Sequence, residues 1–291
     1  MMPRPVYAVD PPTRADPGAG RRPRRGHNGE MEEITRSSAV TLPGGVAMPM
    51  VGFGTWRLRG TECYEAVRAA LDLGYRHIDT ATMYRNEEEV GRALRDSGID
   101  RREVFLTTKL PPEAAGRERE TIEQSLRALG VDHVDLWLVH WPTGSRLVPT
   151  WEEFLKARER GLTAAVGVSN YSLGQIDEVT RATGEAPAVN QIPWSPTRHD
   201  PGLLAGHRER GVAVEGYSPL KQTDLEDPTL TGIAGRHGVT VAQVVLRWHL
   251  EHGIVIIPKS ANRDRIAANF DLFGFALDGD EVERIDALAA R

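Results

Sequence analysis

The sequence predicts an α/β protein, a (β/α)8 TIM barrel with an N-terminal β-hairpin closing its bottom, and three observations carry that prediction. From residue 52 onward, short runs rich in β-branched and aromatic residues alternate with helical patterns, which is how stacked βαβ units and a parallel sheet read in sequence. The runs that read as strands number eight, the count that closes a barrel, and several are apolar at nearly every position, as strands covered on both faces must be. The glycine fingerprint of an open dinucleotide-binding sheet is missing, because the nearest match, Gly52-Phe53-Gly54, has Arg57 where the third glycine would stand. A chain of 291 residues has room for one such barrel of about 250 residues and an extension.

Taken in order, residues 1–36 hold Pro3, Pro5, Pro11, Pro12, Pro17 and Pro23 with the run Arg21-Arg22-Pro23-Arg24-Arg25, and almost nothing apolar to bury. They read as a disordered Pro/Arg-rich extension, with the barrel domain at 37–291. The paired arginines resemble a twin-arginine export signal, but the apolar stretch of about 7–15 residues that such a signal needs does not follow, so a cytoplasmic location is expected. Met31 reads as an alternative start. Next, residues 40–42 and 46–51 flank Pro43-Gly44-Gly45 and read as a hairpin, since glycine supplies the positive φ of a tight turn. The eight barrel strands centre on residues 52–55, 77–79, 104–108, 134–139, 164–168, 188–191, 212–217 and 255–257. Helices fill the gaps, for example at 62–73 and 121–129, where apolar residues recur at spacings of three and four.

Composition narrows the function classes. A formal charge of −5 argues against nucleic acid as a partner, and no apolar run approaches the roughly 18 residues that span a bilayer, so no membrane partner is expected either. The single cysteine, Cys63, can form neither an internal disulfide nor a thiolate metal cluster, and flanking Glu62 and Glu65 would raise its pKa, so it reads as an inert thiol.

In a closed barrel the reactive groups lie at the carboxyl ends of the strands. Reading those ends in order yields Asp79 and Tyr84, Lys109, His140, Ser169 with Asn170, Gln191, Tyr217 with Ser218, and Lys259 with Ser260. The first four would make a proton-transfer site if they converged. A lysine beside a tyrosine lowers the phenol's pKa toward neutrality, a carboxylate beyond it keeps the lysine charged, and an imidazole can polarise a carbonyl oxygen. Singly, each has an ordinary explanation: a strand-end Asp caps a loop, and a lone His in an apolar run belongs to the core.

Longer stretches around these residues resemble the aldo-keto reductase family. Residues 74–81, Gly-Tyr-Arg-His-Ile-Asp-Thr-Ala, with Tyr84, Asn86, Glu87, Val90 and Gly91, are similar to its long signature, and Thr107-Thr108-Lys109-Leu110 to its lysine strand. Residues 134–142, ending in His140-Trp141-Pro142, resemble its histidine strand, and residues 166–170, 188–191, 217–220 and 257–260 complete the set in the right order. The resemblance covers residues 40–288 and implies reduction of aldehydes or ketones by NADPH, with Tyr84 as proton donor, Lys109 and Asp79 tuning it, and His140 orienting the carbonyl. It further implies that Ser169, Asn170 and Gln191 hold the nicotinamide carboxamide, that Tyr217 stacks on the ring, and that Ser218 and Leu220 line the pyrophosphate. Lys259, Ser260, Asn262 and Arg265 would surround the adenosine end, where paired cations favour a 2′-phosphate; Gly54, Thr55, Asp79 and Asn269 complete the implied cofactor site. Trp56 and Trp141, with Tyr84 and His140, would wall the substrate, a small carbonyl compound, and a monomer is the expected state.

The chain also departs from the family pattern. Ala268 stands where a glutamate usually contacts adenine, Ile192-Pro193-Trp194-Ser195-Pro196 replaces the acidic residue and histidine common after Gln191, and residues 220–228 are short for a belt over the cofactor. An open, less selective pocket is expected. Other enzyme classes lack their marks: no HExxH or strand-end histidine pair appears, His249 and His252 fall on a helical pattern, and Gly167-Val168-Ser169-Asn170-Tyr171 lacks the second glycine of a nucleophile elbow. No metal is expected. The remaining alternative is an NADPH-binding regulatory subunit with little turnover, which an intact set of four does not exclude.

Overall fold

A computed structural model of the protein describes residues 33–221 and 223–290, so residues 1–32 of the Pro/Arg-rich stretch lie outside the described residues. The compact unit begins at Ile34, whose side chain packs against the core, slightly before the boundary expected at residue 37. Strands β1 (Ala39–Thr41) and β2 (Ala47–Pro49) form the antiparallel hairpin, with Val40 opposite Met48. Its turn needs Gly44 and Gly45, whose φ values of 82° and 79° lie in the left-handed region that strains other residues. Leu42 and Met48 are buried in one cluster with Phe105, Leu136 and Val189, at or near the amino ends of barrel strands, so the hairpin closes the bottom.

The barrel strands are β3 (Phe53–Gly54), β4 (His77–Asp79), β5 (Phe105–Leu110), β6 (Val134–Val139), β7 (Thr163–Ser169), β8 (Val189–Pro193), β9 (Ala213–Tyr217) and β10 (Val255–Ile256). Each is parallel to the next and bonded to it in chain order. The last strand returns to the first: the Gly52 N–H donates to Ile256 O at 2.7 Å, Ile256 N–H to Met50 O at 2.9 Å, and Gly54 N–H to Pro258 O at 3.2 Å. A Cβ on Gly54 would lie 2.7 Å from the Ile257 carbonyl oxygen, and one on Gly52 2.6 Å from His77 Nδ1. The pair of glycines that looked like part of a nucleotide fingerprint serves the seam of the barrel.

Alternation along each strand then decides what faces where. On β6, Leu136 and Leu138 join the interior cluster while Trp137 and Val139 pack outward, Trp137 stacking on Phe154 at 3.7 Å. On β5, Phe105 faces inward and Leu106 and Leu110 outward, which puts Lys109 inside. This strand reaches further than the expected 104–108, and β8 carries Gln191 within the strand rather than at its end.

Helices α1 (Gly60–Asp72), α2 (Glu87–Ser97), α3 (Glu118–Leu129), α4 (Leu147–Glu159), α5 (Leu173–Thr183) and α6 (Pro201–Glu209) each join consecutive strands. Two helices, α7 (Pro228–His237) and α8 (Val241–Glu251), lie between β9 and β10, and α9 (Arg263–Phe270) and α10 (Gly279–Asp286) follow the last strand. Capping boxes start α5 at Ser172, α8 at Thr240 and α10 at Asp278, each cap contributing about 1 kcal/mol. No helix of the described residues is long and apolar enough to cross a membrane.

Candidate active site

Lys109, fully buried on β5, is the centre of the site. Its ammonium donates to both oxygens of Asp79, at 2.6 and 2.7 Å, and to the Thr80 carbonyl at 2.8 Å. Three donors are thus matched by three acceptors, which is what allows an ammonium to remain charged without water. Burial works against that charge, but attraction by Asp79 and Tyr84 outweighs it and leaves Lys109 above the usual lysine range.

Tyr84 closes the 3₁₀ turn Thr82–Tyr84 that follows β4. Thr82 pins that turn by donating its hydroxyl to the Lys109 carbonyl at 2.9 Å, and Arg85, at φ 55°, turns the chain away. Asn86 then ties the turn to the loop after β3, donating to Thr55 O and Leu58 O at 3.0 Å each while accepting from the Thr80 hydroxyl at 2.7 Å. The Lys109 ammonium lies 5.1 Å from the centre of the Tyr84 ring, and the His140 ring, just beyond β6, lies 5.6 Å from it edge-on. Four side chains remote in sequence therefore meet at one rim.

Their electrostatics depart from expectation at Tyr84. Burial raises the phenol above its ordinary value, and Lys109 opposes this without reversing it, while the charge on Asp79 adds to the rise. His140 is pushed down to about 3, first by burial and then by the charge on Lys109, so its ring is neutral. Its Nδ1 is buried without a hydrogen-bond partner among the described residues.

Asp79, Tyr84 and His140 form one wall of a cavity of about 500 Å³, with Lys109 buried behind that wall, and Ser169, Asn170, Gln191 and Tyr217 line the cavity as well. The Tyr217 hydroxyl donates to Asn170 Oδ1 at 2.8 Å, and Asn170 Nδ2 donates to the His140 carbonyl and the Ser169 hydroxyl at 3.1 and 2.9 Å. Gln191 Nε2 donates to Asp79 Oδ2 at 2.9 Å and Glu215 Oε2 at 2.7 Å, leaving Oε1 as the acceptor it can offer a ligand. An acceptor, a hydroxyl and an amide beside an aromatic ring suit a flat carboxamide-bearing group. Towards the other end, Ser218, Leu220, Lys221, Lys259 and Asn269 line the cavity, the two lysines suiting phosphate.

Comparison with known proteins agrees with this geometry. Residues 50–290 match the model of the aldo/keto reductase family. The chain belongs to that family. It is 43% identical to 2,5-diketo-D-gluconic acid reductase B of a Corynebacterium species, the match covering 86% of this chain and 92% of that protein. Methylglyoxal reductase DkgA of Escherichia coli is 38% identical, with 88% and 94% covered. The crystal structure of a Bombyx mori aldo-keto reductase in complex with NADP superposes with a TM-score of 0.82 at 34% identity, covering 88% of this chain and 94% of that one.

The structure of this aldo/keto reductase brings most of the sequence-derived residues to one cavity. Gly54, Trp56, Asp79, Tyr84, His140, Trp141, Ser169, Asn170, Gln191, Tyr217, Ser218, Leu220, Lys259 and Asn269 all line the cavity, with Trp56 and Trp141 45% and 46% exposed at its mouth. Thr55 does not line it: the residue is buried, and its hydroxyl donates to the Asp79 carbonyl at 3.0 Å. Ser260, Asn262 and Arg265 stand outside the lining. Ser260 accepts from Asn262 N–H at 3.1 Å, Asn262 caps α9 by accepting from Arg265 N–H at 3.0 Å, and Arg265 is exposed on that first turn. Cys63 is buried and pushed up to about 12 by burial and by Glu89 and Glu62, an inert thiol as read, with Glu89 in place of Glu65 among the causes.

Sequence reading missed Met83, Pro219, Lys221, Ile257 and Pro258 in the lining, and beneath it Glu215. Glu215 was within reach of the strand period, since it lies two residues before inward-facing Tyr217.

Proposed function

We propose that this protein is an NADPH-dependent carbonyl reductase converting aldehydes and ketones to alcohols, with Tyr84 as proton donor and Asp79, Lys109 and His140 preparing the transfer. The observation that carries the reading is the convergence of Asp79, Tyr84 and His140 on the wall of a cavity whose other polar groups suit a nicotinamide, with the Lys109 ammonium buried behind them against Asp79. Ser169, Asn170 and Gln191 Oε1 would hold the carboxamide, Tyr217 the ring, and Lys221, Lys259 and Arg265 the phosphates. NADPH, when bound, supplies the hydride that the carbonyl carbon takes up.

The chain's own groups supply the rest. With Nδ1 of His140 buried and unpaired, the proton of the neutral ring belongs on Nε2, where it donates to the carbonyl oxygen and stabilises the charge that grows there. Burial keeps Tyr84 protonated at neutral pH, which is the form that donates. When its proton passes to the alkoxide, the phenolate left behind faces the Lys109 ammonium, held in place by Asp79. Trp56, Met83 and Trp141, exposed at the mouth, offer an apolar wall to the substrate's remainder. Relatives named for a diketo sugar acid and for methylglyoxal support small dicarbonyl compounds as the substrate class. The reading includes a monomer in the cytoplasm, where a single cysteine suits a reducing compartment.

Turnover tests the reading. Purified protein with NADPH and a panel of aldehydes and ketones should consume NADPH, and Tyr84→Phe should lower kcat by about 10²–10⁴-fold while NADPH affinity stays within about twofold. Equal loss of both would contradict the role given to Tyr84. Tight NADPH binding with no substrate reduced would favour the regulatory-subunit reading.

A further inference from the structure

Outside the cavity, three segments remote in sequence bring two imidazoles and a carboxylate together. His199 follows the 3₁₀ turn Pro196–Arg198 after β8, His252 caps the end of α8, and Asp286 is the last residue of α10. His252 Nε2 lies 2.8 Å from Asp286 Oδ1, His199 Nε2 lies 3.6 Å from Oδ2, and one ligand atom from each residue falls within 4.8 Å of the others.

Hydrogen bonding alone leaves this cluster unfinished. Oδ1 of Asp286 already accepts from the Trp248 indole at 2.7 Å as well as facing His252, while among the described residues Oδ2 has only the His199 contact, too long for a hydrogen bond. The His199 side chain is 6% exposed, and its Nδ1 has no hydrogen-bond partner among the described residues. We propose that His199, His252 and Asp286 form a binding site for a divalent transition-metal ion of the zinc or nickel class, which ties the end of α8 and the turn after β8 to the C-terminal helix α10.

The distances suit such an ion. Ligands about 2.0–2.1 Å from a tetrahedral zinc are about 3.3–3.4 Å from one another. The His199 contact to Oδ2, 3.6 Å, is close to that value, and with the ligand atoms all within 4.8 Å of one another the set closes by at most roughly 1.5 Å of side-chain movement. Two imidazoles with one carboxylate select zinc, nickel or copper over magnesium or calcium, which prefer all-oxygen sites. The Trp248 indole on Oδ1 would then act as the outer hydrogen bond that orients a ligating carboxylate, leaving Oδ2 for the ion. Spacing rules could not find the site, because each ligand comes from a different element.

The test uses the full chain without an affinity tag, freed of metal by chelation. Titration calorimetry should show one equivalent of Zn²⁺ or Ni²⁺ bound, and the melting temperature should rise with either ion and not with Mg²⁺. His199→Ala and His252→Ala should each weaken Zn²⁺ binding at least about tenfold and abolish the thermal shift measured from each variant's own metal-free melting temperature, which the lost ring packing lowers, with NADPH binding unchanged. Asp286→Asn keeps an acceptor for Trp248 and should weaken binding similarly. No stoichiometric binding to the wild type, or a thermal shift that survives both histidine variants, would overturn the site.

Discussion

Asp79 and Glu215 take the two amide hydrogens of the same side chain, Gln191, yet they live in opposite settings. Asp79 faces the cavity rim and receives two short bonds from the Lys109 ammonium. Glu215 lies deeper, wholly buried, with Oε1 unpaired and its nearest cation candidate, His77 Nε2, 3.6 Å away. Burial, and then the charge on Asp79, push the Glu215 carboxyl up to about 8, while burial pushes His77 down to about 4. The contrast lies in what each buried carboxylate is given: Asp79 has a cation in direct contact, whereas for Glu215 a shared amide donor does not offset the burial that raises its carboxyl. It also implies that the four polar groups at the rim rest on a second, neutral pair, Glu215 with His77.

The most forceful way to break this contrast is to remove the cation. Lys109→Met leaves Asp79 buried beside Gln191 with no ammonium, and a buried pair broken on one side costs about 3–5 kcal/mol. The loss should appear as a lower urea midpoint, together with loss of turnover. The double variant Asp79→Asn with Lys109→Met removes both charges and should recover most of the stability. If single and double variants are equally unstable, Lys109 supports the fold by its bulk and the pairing argument fails.

A subtler change sharpens the comparison at the deeper pair, through pH. Taking ordinary values of 4.5 for Glu215 and 6.5 for His77, the unfolded chain holds one proton between these values, on histidine; the native chain also holds one, on Glu215. The pair then adds no slope to stability. From 6.5 to about 8 only the native chain keeps that proton, so stability falls as pH rises. Glu215→Gln removes this alkaline slope and leaves His77 alone, whose reluctance to charge makes the variant lose stability below pH 6.5. The melting temperature of the variant minus that of the wild type should therefore climb steadily from about pH 5 to about pH 8.5. A difference independent of pH would mean that Glu215 is ionised throughout.

How much of this was legible in the sequence follows from the same two carboxylates. Asp79, Lys109 and His140 each close or follow a run that is apolar or β-rich, so reading strand ends exposed them, and barrel closure supplied their meeting place. Glu215 sits inside its strand, where a search of strand ends does not look, although the inward period marks it. Thr55 was misplaced because its hydroxyl is taken up by a carbonyl from the neighbouring strand, a contact made only on folding. At Tyr84 the effect of a nearby lysine could be foreseen, but the larger effect of burial could not, since burial belongs to the packed cavity.

The smallest effect on the fold, and the sharpest on selectivity, belongs to an exposed cation. Lys259 lines the far end of the same cavity from an exposed position, so unlike Lys109 it gives up no hydration to be there. Lys259→Met should change stability by no more than about 0.5 kcal/mol, as expected for a surface substitution. Its contribution lies in binding: a charge-assisted bond to phosphate is worth about 1.5–3 kcal/mol, so the KM for NADPH should rise roughly tenfold to a hundredfold. NADH lacks the 2′-phosphate, and its KM should move less than about twofold if Lys259 reads that group. Should both cofactors weaken together, Lys259 contacts a part they share, and discrimination rests with Arg265 on the first turn of α9, where Arg265→Met would show the missing selectivity.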